Sequence, residues 1–364
     1  MKDNKRMIDL KYIVRHCEGD SPKQSRISLS FGEGWGEVSG LLRHVRNDVL
    51  RKNISPLLLP AEMKIRILAL IIAASTLWSC NPKMEIPSYI WIDSVDFQVL
   101  EPALQGTASH KISDVKIVAN GQSLGFYQLP ARIPILEHGN TRLSINAGIM
   151  INGIPQLKAE YPFYTPYILN VDLKKGEIDT ILPHFTYTDN TEFYHIENFE
   201  SAGMQYAAYG TSAPLNKTND KTLIFHQNKE DNKYSGIVEL PYTNDSATVY
   251  HFEFRTIKPV ELNSSKIYDC LLEIDFRITH NVEIGMIVHS ALPNTADRQV
   301  ALANLWGHDN INAADNVWRK VYVNFTQSIG EANQMKNFDV YIRATISSNE
   351  KARFLFDNIK LIYH

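Results

Sequence analysis

The sequence contains little cysteine, and this excludes two common ways of holding a domain together. Its 364 residues include only Cys17, Cys80 and Cys270. Their number and spacing allow neither a disulfide framework nor a zinc site built from cysteine pairs. Cys270 begins an apolar segment with a strand-like pattern, which favours a buried thiol that packs as a small hydrophobic side chain.

Several catalytic motifs are also absent. The sequence has no GxSxG, no HExxH, no phosphate-binding loop and no cysteine–histidine pairing, so none of these signatures indicates an enzyme. Glycoside hydrolysis stays open because it needs only two carboxylates. Glu273 and Asp275 alternate onto one face of a predicted strand beside Arg277, and this pattern predicts a solvated charged face, with a catalytic pair as the alternative.

The chain also has no large excess of either positive or negative charge. The chain has 37 basic and 40 acidic residues and a net charge of -3, which gives no reason to expect a nucleic-acid partner. With 44% hydrophobic residues the composition is that of a folded protein. The length suggests two domains once a leader segment is removed.

The longest apolar run is too short to span a bilayer comfortably. It covers residues 67–76, follows Lys64 and Arg66, and ends at Cys80. A positive start followed by a short apolar segment is typical of a secretory signal peptide. The alternative is a short buried helix that ends in a core cysteine.

The end of this run resembles the lipobox of bacterial lipoproteins, since it reads Leu77, Trp78, Ser79 and Cys80. Trp78 is bulkier than that family usually has. The resemblance implies a signal peptide at 63–79, acyl chains attached to Cys80 and a tether at 80–87. Each buried lipid methylene contributes about 0.8 kcal/mol, so more than one chain gives stable anchoring. It also implies an outer membrane lipoprotein of a two-membrane bacterium, on the periplasmic face or at the cell surface.

Residues 1–62 do not have the pattern of a domain. Basic residues are scattered through them, and residues 28–40 are rich in Gly, Ser and Glu, a composition that buries little apolar surface. Two interpretations stay open: a non-native extension upstream of a natural start at Met63, or a disordered cytoplasmic tail.

Residues 88–187 predict a small immunoglobulin-like β-sandwich of about seven short strands. The pairs Asn120-Gly121 and Asn152-Gly153 predict hairpins, because both residue types accept a positive φ. We also expect segments 167–173 and 177–182 to pair around the turn at 174–176. The aromatic, proline-rich run 161–167 covers a sandwich edge or forms a ligand surface.

Residues 192–364 predict eight to eleven longer strands with no helical pattern, which favours a jelly roll. Three segments resemble galactose-binding-domain-like jelly rolls, a superfamily that includes many carbohydrate-binding modules: ENFE at 197–200, WRKVYVNF at 318–325 and FLFDNIKL at 354–361. The resemblance implies the fold and a glycan or partner-protein ligand. The first region similarly resembles uncharacterised bacterial surface lipoproteins.

The same resemblance implies a structural calcium ion where the first and last strands meet, with Glu200 and Asp357 as metal ligands. The alternative is that Asp357 accepts hydrogen bonds from a neighbouring turn. No other cofactor is expected. The histidines are isolated in sequence, so a metal site would require them to cluster in space: His226, His251, His280, His289 and His308.

A sugar site needs aromatic rings that stack on the sugar and polar groups that hold its hydroxyls. Trp306 is the best candidate, because Gly307 and a polar loop containing His308 and Asp309 place it near a sheet rim, where binding residues concentrate. Tyr206 and Tyr209 are further candidates. Trp318 alternates with apolar residues and is expected in the core.

The sequence thus favours a non-enzymatic, lipid-anchored cell-envelope protein whose jelly roll binds a glycan or an envelope protein. One alternative is a hydrolase of polysaccharides, which would show a deep groove holding two carboxylates. Another is a structural stalk or scaffold, which would show no exposed aromatic cluster and a large apolar patch.

Overall fold

The computed structural model describes residues 60, 62–63, 65–66, 85–210, 212–226, 232–241, 248–261, 269–308, 316–332, 334–347 and 351–364. The predicted lipidation site Cys80 and nearly all of the predicted signal peptide lie outside the described residues. No helix in the described part is long and apolar enough to cross a membrane. Pro82–His364 forms one compact unit.

The first part of this unit is a β-sandwich with one short helix. Its elements are β1 (Ser88–Ile92), β2 (Asp96–Phe97), α1 (Pro102–Gln105), β3 (Asp114–Ala119), β4 (Gln122–Gln128), β5 (Ala131–Ile135), β6 (Gly139–Met150), β7 (Lys158–Glu160), β8 (Tyr167–Leu173), β9 (Ile178–Thr180) and β10 (His184–Phe185).

One sheet of the first sandwich has the order β4-β3-β6-β7, with β8 also paired to β6, and a second has the order β5-β1-β9. The short strands β10 and β2 form a separate pair. Alternate residues of β5 are buried and exposed, as expected for a strand that covers a core on one face. The apolar faces of these sheets enclose one hydrophobic core.

Both predicted Asn-Gly turns are confirmed. Asn120 and Gly121 have φ angles of 48° and 85° between β3 and β4, and Asn152 and Gly153 have φ angles of 55° and 71° between β6 and β7. The predicted pairing across residues 174–176 is wrong. β8 pairs with β6 and β9 pairs with β1, so this turn carries the chain from one sheet to the other.

The second part is a jelly roll of eleven named strands and one short helix. Its elements are β11 (Glu192–Glu197), β12 (Tyr206–Ala208), β13 (Asn216–Thr218), β14 (Ser235–Leu240), β15 (Val249–Thr256), β16 (Cys270–Ile278), β17 (Val282–Ser290), β18 (Arg298–Leu305), β19 (Arg319–Asn324), α2 (Thr326–Glu331), β20 (Met335–Ser347) and β21 (Ala352–Tyr363).

The jelly roll has two sheets. The covered sheet has the order β13-β14-β21-β16-β19, with β11 also paired to β21, and the open sheet has the order β12-β15-β20-β17-β18. The first and last strands lie together, since Phe193 pairs with Ile362. The all-β fold class, a small sandwich followed by a jelly roll, is therefore confirmed.

A large apolar core fills the space between the two sheets of the jelly roll. Cys270 is buried in it as a free thiol, which confirms the interpretation of this residue. Burial raises its pKa above the usual range. Trp318 packs instead on a small satellite cluster with Leu223 and Leu355.

The covered sheet is buried on both faces. Its outer face contributes Leu271, Tyr322 and Ile362 to the core of the first sandwich. The two sandwiches therefore share apolar packing within one compact unit. The predicted boundary at residues 188–191 lies at a turn in which the Thr191 amide donates to the Thr188 carbonyl, and it stays a prediction as a division into domains.

Candidate functional site

Trp306 lies at the mouth of a cleft at the rim of the jelly roll. Trp306 is 72% exposed. The cleft has a volume of ≈ 450 Å³. Its walls come from the edge strands β18 and β19 and from the β6–β7 turn of the first sandwich. The cleft is therefore formed by both sandwiches.

The backbone around Trp306 is held closely, although its ring is exposed. A Cβ atom on Gly307 would lie 2.4 Å from the backbone of His280, so only glycine fits this crossing. The Gly307 amide donates to the Asn281 side chain at 2.9 Å. Arg319 donates from its guanidinium to the Trp306 carbonyl at 2.7 Å. The backbone that carries the indole is therefore held in place before any ligand binds.

The opposite wall is fixed by Asn152. Its amide donates to the Tyr322 carbonyl, and its side-chain oxygen accepts a hydrogen bond from the Asn324 amide at 2.9 Å. Its side-chain nitrogen donates to the Leu302 carbonyl at 3.4 Å. The β6–β7 turn thus connects to both edge strands, and it brings Gly153 and Ile154 to the cleft.

The charged groups of this cleft are basic. Lys111, Arg319 and Lys320 line it, and none of the described residues that line it is acidic. The Lys320 ammonium points inward to Glu273 at 2.9 Å, whereas neither Lys111 nor Arg319 has an ion pair among the described residues. Burial lowers the pKa of Arg319. Among the described residues, the cleft therefore holds two cations without a carboxylate partner.

A second groove, of ≈ 510 Å³, lies on the outer face of the open sheet. Glu253, Arg343 and Glu283 are neighbours across three adjacent strands there. Arg343 approaches Glu283 at 2.7 Å and Glu253 at 3.9 Å. The two carboxylates thus flank a guanidinium group. Asn304 lines both this groove and the Trp306 cleft, so the two depressions adjoin.

Tyr209 lies at the far edge of the open sheet from Trp306. It is 54% exposed, and the Arg255 guanidinium lies 3.4 Å from its ring centroid. Four strand spacings of roughly 4.8 Å separate its strand from β18, so Tyr209 and Trp306 do not belong to one cleft.

Tyr206 is a correction to the predicted site. It is fully buried in the jelly-roll core, and its ring packs edge-on against Phe254 at 5.8 Å. The side chains of a strand alternate in direction, and the ring of Tyr206 faces inward. Tyr206 cannot offer a stacking surface to a sugar.

Another predicted member of the sugar site, His308, follows Trp306 closely along the chain. The His308 amide donates to the Ile278 carbonyl at 3.0 Å, which keeps this segment at the end of the sheet. Asp309 lies outside the described residues. The predicted site is therefore reduced to Trp306 and His308 on one side, with Tyr209 apart.

The chain matches no protein-family model and no curated protein. Several solved β-sandwich modules are similar to it in fold. One is a family 11 carbohydrate-binding module of a cellulosomal cellulase from Clostridium thermocellum, at 14% identity over 46% of this chain and 93% of that chain, with a TM-score of 0.29. A carbohydrate-binding module specific for non-crystalline cellulose has 15% identity over 46% and 98%, with a TM-score of 0.30.

A third similar structure holds the CBM22-1 and GH10 modules of endo-1,4-β-D-xylanase 10B from Clostridium thermocellum, at 10% identity and a TM-score of 0.33. It covers 47% of this chain, which spans only 28% of that protein. TM-scores this low assign neither a family nor a ligand to this chain.

The predicted calcium ligands have other partners. Glu200 accepts the Lys233 and Tyr234 amides at 2.8 and 2.9 Å. Asp357 is buried and accepts hydrogen bonds from Ser235, Asn232 and Asn358, and burial raises its pKa well above the usual value. No group of three or more His, Cys, Asp or Glu residues that could hold a metal occurs in the described part. These two residues do not fit the six to eight oxygen ligands of calcium.

The charged face predicted for Glu273 and Asp275 is not solvated, and this interpretation is wrong. Both side chains are buried where the covered sheet meets the first sandwich. Lys320 contacts Glu273 at 2.9 Å and Asp275 at 3.6 Å. The surrounding donors reach the same carboxylates: Tyr161 and Tyr187 to Glu273, and Ser109 and Asn358 to Asp275.

The pKa values of the carboxyl groups in this buried polar cluster depend on their burial and on the neighbouring charges. Burial alone would raise the pKa of Glu273, but the Lys320 and Lys360 ammonium groups and the Tyr161 hydrogen bond outweigh it, and the pKa is lowered. Burial raises the pKa of Asp275. The proline-rich run 161–167 covers this cluster, and Tyr161 and Phe163 are buried. Burial of these rings contradicts a ligand surface for this run, and cover of a sandwich edge stays a prediction.

Sequence reasoning missed the basic residues of the cleft. Lys111 lies in a loop of the first sandwich, and its amide donates to the Tyr322 hydroxyl at 2.8 Å. Arg319 alternates with Lys320 at the start of β19, so one faces the cleft and the other the buried cluster. No sequence signal connected Arg319 to Trp306, because the two residues are thirteen positions apart.

Proposed function

We propose that this protein is an exported, lipid-anchored binding protein that recognises a glycan in the Trp306 cleft. The observation that carries the proposal is an exposed indole, carried by a closely held backbone, at the mouth of a preformed cleft. Exposed aromatic side chains in preformed concave sites are typical anchors for ligands. The apolar C–H faces of a pyranose ring stack on such a surface, and side-chain amides bind its hydroxyls.

The amides at this site are Asn152 and Asn304. Asn152 is already held by backbone hydrogen bonds, so it is preorganised. Preorganised polar groups cost little ordering entropy on binding. The combination of one stacking ring and fixed polar groups supports saccharide recognition over the docking of a flat apolar surface.

The arrangement in the open-sheet groove supports binding over hydrolysis. A glycosidase needs a carboxylic acid and a carboxylate that flank the scissile bond. Here Arg343 lies between Glu253 and Glu283 and contacts both, which occupies the space that the scissile bond would take. We therefore propose a non-enzymatic role.

The test is saccharide binding by the full chain, first on a glycan array and then by calorimetry. Trp306→Ala is expected to weaken binding about 30-fold, the roughly 2 kcal/mol that a buried aromatic anchor contributes. Leu100→Ala is the matched control, because Leu100 is 66% exposed and does not line the cleft. If no saccharide binds, the scaffold hypothesis replaces this one. If Trp306→Ala binds as well as the parent, the site is elsewhere.

The anchoring part of the proposal depends on Cys80. We expect metabolic labelling with a fatty-acid analogue to modify the parent chain and not Cys80→Ser, and we expect the variant to leave the membrane fraction. Cys270→Ser is the control, since its thiol is buried in the core. Labelling that persists in Cys80→Ser would contradict lipid attachment at this position.

A further inference from the structure

The Trp306 cleft has an unbalanced charge. Three of its lining residues are basic and none is acidic in the described part of the chain, although the adjoining groove contains Glu253 and Glu283 beside a single arginine. The contrast between two neighbouring depressions shows that the imbalance belongs to the cleft and is not a general property of this protein, whose net charge is -3.

Lys320 does not contribute a free charge to the cleft. Its side chain is 3% exposed and its ammonium is bound by Glu273 and Asp275 in the buried polar cluster. The cationic character of the cleft therefore rests on Lys111 and Arg319.

Within the described ranges, Arg319 is held in place without a carboxylate. It donates to the Trp306 carbonyl at 2.7 Å, and its guanidinium carbon lies 4.7 Å from the centroid of the Phe276 ring. A carbonyl and a ring face fix its orientation but do not neutralise it. A partly buried cation without a counterion is costly, and an anionic ligand would offset that cost.

Lys111 lies on the opposite sandwich and is exposed. Its backbone is fixed by the hydrogen bond from its amide to the Tyr322 hydroxyl. Among the described residues no ion pair holds the Lys111 ammonium. It can therefore turn towards an anionic group of a ligand that is bound by Arg319. The two cations approach the cleft from different sandwiches.

We propose that the Trp306 cleft selects saccharides that carry an acidic oxyanion group, with Arg319 and Lys111 as the residues that bind the anion. This inference rests on the proposed glycan-binding function and specifies its ligand class. The planar guanidinium of Arg319 suits the two oxygens of a carboxylate or sulfate. Trp306 supplies the stacking surface, and Asn152 and Asn304 hold neutral hydroxyls.

The experiment compares three groups of oligosaccharides of matched length with the full chain: neutral xylan and cellulose fragments, uronic-acid fragments from polygalacturonate, and sulfated fragments from chondroitin sulfate. We expect at least tenfold tighter binding of one or both acidic groups. Binding of uronate fragments alone identifies a carboxylate ligand, and binding of sulfated fragments alone identifies a sulfate ligand. We expect the affinity to fall as ionic strength rises from roughly 0.05 to 0.5 M, because partly exposed charges are screened.

Variants separate anion recognition from structure. Arg319→Gln is expected to lose at least tenfold in affinity for acidic fragments, since it removes a hydrogen-bonded charge, and Arg319→Lys is expected to recover part of the loss. Lys111→Gln is expected to lose about two- to fivefold, because it is exposed. Lys336→Gln is the charge-matched control, on an exposed lysine at the start of β20. Thermal unfolding of each variant shows that the fold is retained.

The outcomes distinguish this inference from the function on which it rests. Trp306-dependent binding of neutral fragments, without preference for acidic ones, would overturn the anion inference and leave glycan binding in place. Equal losses in Lys336→Gln and Lys111→Gln would show nonspecific charge attraction and would also overturn it. Absence of any saccharide binding would overturn both.

Discussion

Replacing Lys320 by methionine removes the cation that contacts both carboxylates of the buried polar cluster and keeps the apolar stem that crosses it. Lys320 is 3% exposed and lies 2.9 Å from Glu273 and 3.6 Å from Asp275. Two buried carboxylates would then face each other without that partner. Removal of one member of a buried ion pair typically costs about 3–5 kcal/mol, and we expect a loss of this size in the free energy of unfolding at pH 7.

The assay is urea denaturation of the parent and Lys320→Met, with Lys336→Met as a control. Lys336 is exposed, so its replacement is expected to change stability by no more than about 0.5 kcal/mol. A loss below about 1 kcal/mol in Lys320→Met would refute the reasoning, because it would mean that the carboxylates are solvated or otherwise neutralised.

The pH dependence provides a second test of the same variant. The pKa of Glu273 is lowered in the folded protein from its usual 4.5, so its stabilisation is complete above that value and is lost as the pH falls through the folded pKa. Without Lys320 both carboxylates favour the protonated form. The difference between the parent and Lys320→Met should therefore shrink as the pH falls from 7 towards 4. An equal difference at both pH values would contradict the assignment of the loss to charge.

Three further predictions concern the jelly roll. The buried Tyr206 hydroxyl has no hydrogen-bond partner in the described part of the chain, so Tyr206→Phe should leave stability unchanged or raise it by up to about 1 kcal/mol; a clear loss in urea denaturation would reveal a partner. A Cβ atom on Gly236 would lie 2.4 Å from the Phe199 ring, so Gly236→Ala should lose about 1–3 kcal/mol through overpacking, and unchanged stability would contradict this packing. Burial raises the pKa of Asp357, so stability falls as the pH rises through the folded pKa; thermal unfolding from pH 4 to 8 should show a weaker fall for Asp357→Asn, and identical slopes would refute it.

Local features of the sequence predicted most of the strands and both Asn-Gly hairpins. These features depend on the backbone freedom of two residues and on side-chain alternation within one segment. The prediction that β8 pairs with β9 was wrong, because a tight turn determines only that the chain reverses direction. It does not determine whether the next strand joins the same sheet or the opposite one, which depends on distant partners such as β1.

The environment of a strand face could not be predicted in the same way. Alternation correctly placed Glu273 and Asp275 on one side of β16. The sequence pattern of a single strand does not show whether that side faces solvent or a second sandwich. Two of the partners that bury them, Tyr161 and Ser109, are more than one hundred positions away. The cleft illustrates the same limit, since Trp306 was predicted and Lys111 was not.

The double coverage of the covered sheet has a practical consequence. A fragment cut at residue 192 to isolate the C-terminal half would expose Leu271, Tyr322 and Ile362 to water, together with charges that have lost their neighbours. Such a fragment would adhere to columns and array surfaces for reasons unrelated to recognition, and it would also lack the cleft wall formed by Lys111 and the β6–β7 turn. Ligand screens with this protein therefore require both halves in one polypeptide.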